Sequence, residues 1–298
     1  MRSTIWYRQR YLLLMSIPGV LLVLIFKYFP MYGILIAFKN YDVAAGILQS
    51  PWVGLKHFYA FFNNPFSWRI IKNTFLLGLY SLFWGFPAPL ILALLLNEVK
   101  KRFFKRWVQT IVYFPHFLSV VIIVGFLKEF AALDGLFNQI GGWFGAEAAP
   151  LLAKPEYFRT LFIGSSIWQS VGWGTIIYLA ALSGVDEALH EAAIIDGANR
   201  WQRLWNVTWP AILPATTILL ILSLGGIVST DFQKVLLLYN PSIYETADVI
   251  DTYVYRQGIL GAQYEYSTAV GLMLSVISFL FVTIGNWISR KFSETSLW

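Results

Sequence analysis

Six apolar stretches, each long enough to cross a bilayer as a helix, constrain this chain more than any other feature of its sequence. Their limits are about 11–37, 74–96, 107–127, 160–182, 211–230 and 267–288. A bilayer has a hydrocarbon core about 30 Å thick, which an α-helix crosses in about 20 residues. Backbone polar groups in lipid must be satisfied within the segment, which a helix achieves. We therefore predict an all-α, polytopic membrane protein with six transmembrane helices.

The composition excludes most soluble proteins. Of 298 residues, 57% are hydrophobic and only 13% are charged, whereas soluble domains have about 25% charged residues. The first apolar stretch is longer than that of a signal peptide and no small-x-small cleavage site follows it, so we predict an uncleaved span. No linker or low-complexity tract interrupts the chain, and we predict one transmembrane domain over residues 1–298.

The basic residues predict the orientation in the membrane. Three lie before the first span, five in the loop 97–106, two in the loop between the fourth and fifth spans, and two after the last span. Short segments rich in Lys and Arg stay in the cytoplasm. We therefore predict that both termini and these two loops are cytoplasmic. The net charge of +6 then reflects orientation and contact with membrane lipid, and no nucleic acid partner is predicted.

The loop 186–210 carries strong local signals. Asp186 is a helix N-cap, Gly197 permits a left-handed exit, and Asn199 with Gln202 forms a capping box. These signals predict a short helix, a glycine corner and a second short helix. Residues on one side of the second helix share an apolar face; they are Trp201, Leu204, Trp205, Thr208 and Trp209. Helices this short need support from their neighbours or from a partner.

The spacing within this loop resembles a known family motif. The motif runs from Glu191-Ala192-Ala193 across three residues to Gly197, and across nine more to Val207-Thr208-Trp209-Pro210. It is similar to the EAA loop of the membrane subunits of binding-protein-dependent ABC importers, which has the pattern EAA, three residues, G, nine residues, I-x-L-P. Val207 and Trp209 replace the isoleucine and the leucine and keep both positions apolar. The three letters EAA alone are common in helices, whereas the full spacing between two spans is specific.

Two further stretches narrow the resemblance. Residues 30–42 are similar to the sugar-importer branch, and residues 245–279 are similar to permeases for multiple sugars and polysaccharide-derived oligosaccharides, including lipopolysaccharide-, pectin- and alginate-type systems. The similar regions cover most of the chain from about residue 11 to 290. The resemblance implies the fold of a type I ABC importer permease and import of an oligosaccharide, and leaves open whether the sugar is acidic.

The resemblance also implies partners. These are a second related permease, two cytoplasmic ABC ATPase subunits that use ATP and Mg²⁺, and an extracytoplasmic solute-binding protein, all at a bacterial plasma membrane. In the family, the EAA loop forms a coupling helix that inserts into the ATPase. The residues that the resemblance assigns to coupling are Glu191, Ala192, Ala193, Asp196, Gly197, Arg200 and Pro210. The competing interpretation is a helix on the protein surface with solvated charges.

Sequence motifs for catalysis are absent. The sequence contains no phosphate-binding G-x-x-x-x-G-K-[ST] loop and no G-x-S-x-G elbow. His190-Glu191 begins the zinc-protease pattern, but Ile194 stands where the second histidine is needed. We therefore predict no catalytic, cofactor-binding or metal-binding residue in this chain, and expect ATP hydrolysis in the partner subunits.

Polar and aromatic residues around the fourth and fifth spans are candidates for the substrate path. Aromatic rings stack on sugars through their apolar faces, and a buried amide needs a hydrogen-bond partner. The candidates are Trp168, Gln169, Trp173, Tyr178, Asp231 and Gln233, and Lys234 lies beside the last two. The aromatic residues are equally compatible with a face toward lipid or a neighbouring helix, and the polar ones with a solvated loop.

Two other functions remain as alternatives. An ion-coupled secondary transporter needs ionisable residues within its spans, and here they hold few beyond Lys27. A membrane enzyme acting on a lipid-linked sugar needs clustered acidic or histidine residues, and the three histidines fall in different segments.

Overall fold

The computed structural model describes the backbone of residues 2–292 and 296–297, and the side chains of residues 10–291, 296 and 297. Residues 1, 293–295 and 298, which belong to the predicted domain, lie outside the described residues, as do the side chains of the N-terminal arginines 2 and 8. Within the described residues the chain is helical, and its extended pairing is limited to one isolated bridge between Lys39 and Trp52. The all-α prediction is confirmed.

The α-helices follow one another along the chain with short 3₁₀ and π segments between them. They are α1 Arg2–Val23, α2 Gly46–Gln49, α3 Lys56–Phe62, α4 Ser67–Tyr80, α5 Pro87–Glu98, α6 Arg102–Tyr113, α7 Val120–Phe130, α8 Leu136–Trp143, α9 Pro155–Ser183, α10 Glu187–Ile195, α11 Arg200–Arg203, α12 Trp209–Gly225, α13 Phe232–Leu238, α14 Tyr244–Ala247, α15 Ile250–Tyr255 and α16 Tyr264–Phe292. Two compact units result, one from Met1–Pro65 with Val254–Met273 and one from Phe66–Tyr253 with Leu274–Trp298.

Four helical stretches in the described part of the chain are long and apolar enough to cross a membrane. They are Arg10–Phe38, Ser67–Glu98, Arg200–Gly225 and Tyr264–Lys291, and they correspond to the first, second, fifth and sixth predicted spans. The second span begins at Ser67, not at residue 74. In the smaller unit, α1 continues through a π turn and the 3₁₀ segment Phe29–Phe38, so the first span is unbroken.

The fifth span begins earlier than predicted. It starts at Arg200 and not at residue 211, so the predicted loop 186–210 is a loop only in its first half. The Asn199 capping box starts this helix, and a π turn over Leu204–Thr208 joins α11 to α12. Pro210 cannot donate a backbone hydrogen bond, and a π turn lets a helix continue through such a defect.

The third predicted span is not a straight helix. Helices α6 and α7 are bent by 102° at a short break, so the prediction of one helix over 107–127 was wrong. Pro115 lies in a 3₁₀ turn, Leu118 is extended, and Ser119 caps α7 by accepting from the Ile122 N–H at 3.4 Å. The residues around the break are as apolar as a span, so hydropathy does not reveal it. With this bent pair as one broken span, the described residues contain five candidates.

The fourth predicted span is the helix α9, which is 29 residues long. That length is about 43 Å at 1.5 Å per residue, which is enough to cross a bilayer. Among the described helices, however, α9 falls short of the apolarity of the four candidate spans. It packs against α5, α6, α7 and α12 within the larger unit, and Phe158, Phe162 and Tyr178 are buried there. A helix that is covered by other helices can carry polar residues that a lipid-facing helix avoids.

Close helix packing in the larger unit depends on glycine. A Cβ atom on Gly172 of α9 would lie 2.0 Å from the Val112 carbonyl oxygen, and one on Gly78 of α4 would lie 1.7 Å from that of Ile227. Backbone atoms cannot move aside as a flexible side chain can. Small residues at helix crossings are typical of membrane bundles for this reason.

We predict that Gly172→Ala destabilises the protein by about 1–3 kcal/mol, the usual cost of overpacking, because the new methyl group meets the backbone of α6. Gly164→Ala, on the same helix with nothing within 4 Å, is the matched control and should leave stability unchanged or raise it. The thermal midpoint of the purified complex measures both. Equal midpoints for the two variants would contradict the close contact.

A buried polar cluster joins distant parts of the larger unit. Asn73 of α4, which is 1% exposed, donates to the carbonyl oxygens of Glu245 and Asp248 at 2.9 and 3.1 Å. It also accepts from Arg159 of α9 at 2.9 Å. Arg69 lies 3.6 Å from the Asp248 carboxylate. This Asn73 cluster holds the segment around α14 against α4 and α9.

Candidate functional site

The first half of the loop 186–210 folds as its sequence signals predict. Asp186 caps α10 by accepting from the Ala188 N–H at 2.9 Å. At the other end the Gly197 and Ala198 N–H groups donate to Ile194 and Ala193 at 3.0 and 2.9 Å, the two bonds of a Schellman motif. Gly197 has a φ of +80°, and nothing lies within 4 Å of a Cβ there. Backbone conformation, and not space, therefore requires glycine at this corner.

The second half of the segment confirms the predicted capping box. Asn199 accepts from the Gln202 N–H at 2.9 Å, and the Gln202 side chain accepts from the Asn199 N–H at 2.8 Å. Trp201, Trp205 and Trp209 then follow one another on one face, with ring centroids 5.9 and 5.8 Å apart. They lie beside the C-terminal half of α5 around an apolar groove.

No residue of helix α10, Glu187–Ile195, is buried in the part of the chain that the structure describes. Leu189, Ile194 and Ile195 are 54%, 55% and 85% exposed. All seven residues assigned to coupling are exposed except Ala193, which is half-buried; the exposed ones are Glu191, Ala192, Asp196, Gly197, Arg200 and Pro210. An exposed apolar group rimmed by charge is typical of a surface that binds a partner.

Two adjoining cavities run along α9 within the larger unit. The polar cavity has a volume of about 340 Å³ and the second, more apolar cavity one of about 390 Å³. They share the lining residues Gly78, Ser81, Ser166 and Ser170. The polar cavity reaches to Asp231 and Lys234, and the second one reaches to Tyr178 and α12.

The structure brings three of the six substrate-path candidates to these cavities. Gln169 and Asp231 line the polar cavity, and Tyr178 lines the second cavity. The other three lie elsewhere. Trp168 lines a separate apolar cavity beside α7, and Gln233 is exposed on α13.

Trp173 is the third candidate that does not line these two cavities. Its side chain is 48% exposed and stacks on the His116 ring, with ring centroids 4.5 Å apart and an interplanar angle of 7°. His116 itself lines the polar cavity, and it was not among the predicted candidates. Its only sequence signal would have been Pro115, which places the residue in the break between α6 and α7.

Lys234 is the most unusual residue of the polar cavity. Its side chain is fully buried, and its Nζ donates to Ser166 Oγ at 3.1 Å and lies 5.8 Å from the Phe162 ring centroid. Asp231 accepts from the Lys234 backbone N–H at 3.2 Å. Burial lowers the pKa of Lys234, and the Asp231 carboxylate opposes part of that shift. Adjacent Thr230 donates through its N–H and Oγ1 to Asp251 at 3.1 and 2.8 Å.

A bundle of apolar helices, two adjoining cavities beside α9 and an exposed short helix between two spans are the features expected of a multi-pass membrane permease. Residues 85–294 match the family of inner membrane components of binding-protein-dependent transport systems. The chain belongs to this family, as the motif between Glu191 and Pro210 indicated.

Relatives and solved structures agree with this assignment over nearly the whole chain. Protein LplB of Bacillus subtilis (strain 168) is 45% identical over 97% of this chain and 92% of its own length. The polygalacturonan/rhamnogalacturonan transport system permease protein YteP of the same organism is 44% identical over 98% of this chain and 91% of its own length.

Two of the similar solved structures are bacterial ABC transporters that import alginate. One is a transporter involved in the import of the acidic polysaccharide alginate, with 41% identity, a TM-score of 0.88 and coverage of 97% of this chain and 98% of that chain. The other is an alginate transporter in complex with an alginate pentasaccharide-bound periplasmic protein, with 40% identity, a TM-score of 0.90 and coverage of 99% of both chains.

These likenesses confirm the predicted fold of an ABC importer permease and the predicted function as a permease subunit of a sugar importer. The chain is a transport subunit and not an enzyme, because its family and its relatives are membrane permease components. The ion-coupled transporter and the enzyme acting on a lipid-linked sugar are not supported.

Proposed function

We propose that this permease carries an acidic oligosaccharide across a bacterial plasma membrane after an extracytoplasmic binding protein has delivered it. The names of two relatives support the substrate class, since alginate and polygalacturonan are both polymers of sugar acids. The complex with a pentasaccharide-bound periplasmic protein supports the delivery step.

The observation that carries the proposal is the pair of adjoining cavities along α9. Ser166, Ser170, Gly174 and Tyr178 are spaced four residues apart, so they share one face of the helix, and all four line the second cavity. Ser166 and Ser170 also line the polar cavity. Small hydroxyl side chains leave room for a sugar and bind its hydroxyl groups, and the Tyr178 ring offers an apolar face.

The driving force comes from ATP and Mg²⁺ in two ATPase subunits that dock on α10 from the cytoplasm, where both chain termini also lie. Ala192 and Ala193 allow close backbone approach, Glu191 pairs with a basic partner group, and Leu189 and Ile195 are buried by the partner. ATP binding closes the ATPase pair and moves α10, and hydrolysis resets it. Since the helix Arg200–Gly225 begins directly after the Gly197 corner, a movement of α10 reaches the fifth span without a flexible loop between them.

A second, related permease completes the bundle in this proposal. Full uptake into proteoliposomes should then require four components: both permeases, the ATPase pair and the binding protein. Uptake of a labelled oligogalacturonate tests the proposal. Uptake that continues without ATP or without the binding protein would contradict it, and so would a complex that imports only neutral sugars.

A further inference from the structure

The buried ammonium of Lys234 lacks an ionic partner. The Lys234 side chain is 0% accessible to solvent. Among the described residues no carboxylate lies within ion-pair distance of its Nζ. A buried charge without a partner is costly for a folded protein. A lysine in such a place is therefore either a packing residue that destabilises the fold or a cation whose charge is neutralised by a bound anionic ligand.

The hydrogen bonds around Lys234 leave two donors unused. An ammonium group has three N–H donors, and one of them points to Ser166 Oγ at 3.1 Å. The Phe162 ring, 5.8 Å away, is within the range of a weak cation–π contact and takes no hydrogen bond of this kind. Lys234 forms part of the wall of the polar cavity, so the two remaining donors are available to a ligand that moves the wall side chains enough to contact this fully buried residue.

The neighbours hold the ammonium in place without forming an ion pair with it. Ser166 Oγ donates to the Phe162 carbonyl oxygen at 2.8 Å while it accepts from Lys234, so its orientation is fixed. The Asp231 carboxylate, which opposes the lowering of the Lys234 pKa, is engaged as the N-cap of α13. The cavity also presents the Gln169 amide and the Ser170 hydroxyl, which are groups that bind sugar hydroxyls.

We infer that Lys234 is the carboxylate-binding residue of the transport path, and that its ammonium donates two hydrogen bonds to the carboxylate of a sugar acid while Ser166 keeps it oriented. The inference rests on the proposed function and deepens it, because it assigns selectivity for the acidic sugar to one residue of the permease. Hydrogen bonds between an ammonium and a carboxylate are about twice as strong as those between neutral groups. A neutral sugar in the same cavity gains no such contribution.

The test compares two probes, trigalacturonate and its methyl ester, in which each carboxylate has lost its charge and gained one methyl group. Binding to the complete detergent-solubilised transporter is measured by calorimetry without the binding protein, so that the permease alone selects. We expect the unaltered complex to bind the acid about 10- to 100-fold more tightly than the ester, the factor that a hydrogen bond to a charged group provides. Lys234→Met, which has a similar length and no charge, should bring this ratio close to one, and Lys234→Arg should restore part of it.

Lys72→Met is the matched control. Lys72 is exposed on α4, so this variant removes the same charge from the surface and should keep the full ratio. Removing the buried charge of Lys234 should not unfold the protein, because replacing a costly buried ion by an apolar group of similar shape is often neutral. The thermal midpoint of each complex checks this.

The outcomes separate the two proposals. A Lys234→Met complex that binds both probes more weakly by the same factor would overturn the inference and make Lys234 a packing residue. An unaltered complex that binds acid and ester equally would overturn it too. Failure of the unaltered complex to take up trigalacturonate with ATP and the binding protein would instead contradict the proposed substrate, while the binding ratio would still decide the role of Lys234.

Discussion

Uptake should fall by about a hundredfold or more when Gly197→Asp and Glu191→Lys are combined. Gly197 has a φ of +80°, and a residue with a Cβ held in that region costs on the order of 1–3 kcal/mol. The reversed charge at residue 191 adds repulsion at an interface, which costs several kcal/mol, and each 1.4 kcal/mol is about tenfold. Labelled sugar uptake and the amount of ATPase that co-purifies with the permease measure the effect.

A second pair of residues gives a control with the same chemistry. Gly145 has a φ of +81° with nothing within 4 Å, and Glu147 is exposed nearby. The variant Gly145→Asp with Glu147→Lys carries the same strain and the same charge reversal, in the connection between the third and fourth predicted spans and away from α10. It should import at nearly the unaltered rate. Equal losses in both double variants would mean that strain alone explains the result, and undiminished uptake in the first would remove α10 from the coupling mechanism.

Ser170→Trp should block transport while the ATPase subunits stay bound. Ser170 lines both cavities and its side chain is exposed to them, so the indole occupies the passage between two spaces of about 340 and 390 Å³. We expect uptake to fall more than about tenfold, because a sugar that must displace the indole loses at least about 1.4 kcal/mol. Uptake and ATP hydrolysis are both measured in proteoliposomes.

Thr110→Trp serves as the control for added aromatic volume. Thr110 is exposed on α6 and lines neither cavity. If the Ser170→Trp complex still imports sugar at the rate of the Thr110→Trp complex, the path does not run along this face of α9.

The sequence predicted the structural features that depend only on residues close together in the chain. Unbroken apolar runs identified four spans, and the caps at Asp186 and Asn199 needed only the next few residues of the chain. Helix α9 was recognised by its length, although its serines and glutamine make it less apolar than a lipid-facing span. The bend between α6 and α7 was missed because Phe114, Phe117 and Leu118 continue the apolar run, so only Pro115 and the capping residue Ser119 signalled it.

The candidate site was predicted less completely, since it assembles residues that are far apart in the sequence. The polar cavity joins Gly78, His116, Ser166 and Thr230 from four separate segments. Periodicity within a segment cannot reveal which faces meet. Trp173 illustrates the limit, because its aromatic character was noticed but its partner His116, in the break between α6 and α7, was not.

The Asn73 cluster sets an order for biosynthesis. Asn73 reaches its carbonyl partners across 172 and 175 residues of chain, and Arg159 must meet it from a third segment. Until the ribosome has released the segment near residue 248, α4 and α9 carry an amide and a guanidinium without their final partners, and buried groups in that state are unfavourable. We therefore expect the part of this unit around α14 to close late in synthesis, and a nascent chain that stops before that segment to leave these polar groups unpaired.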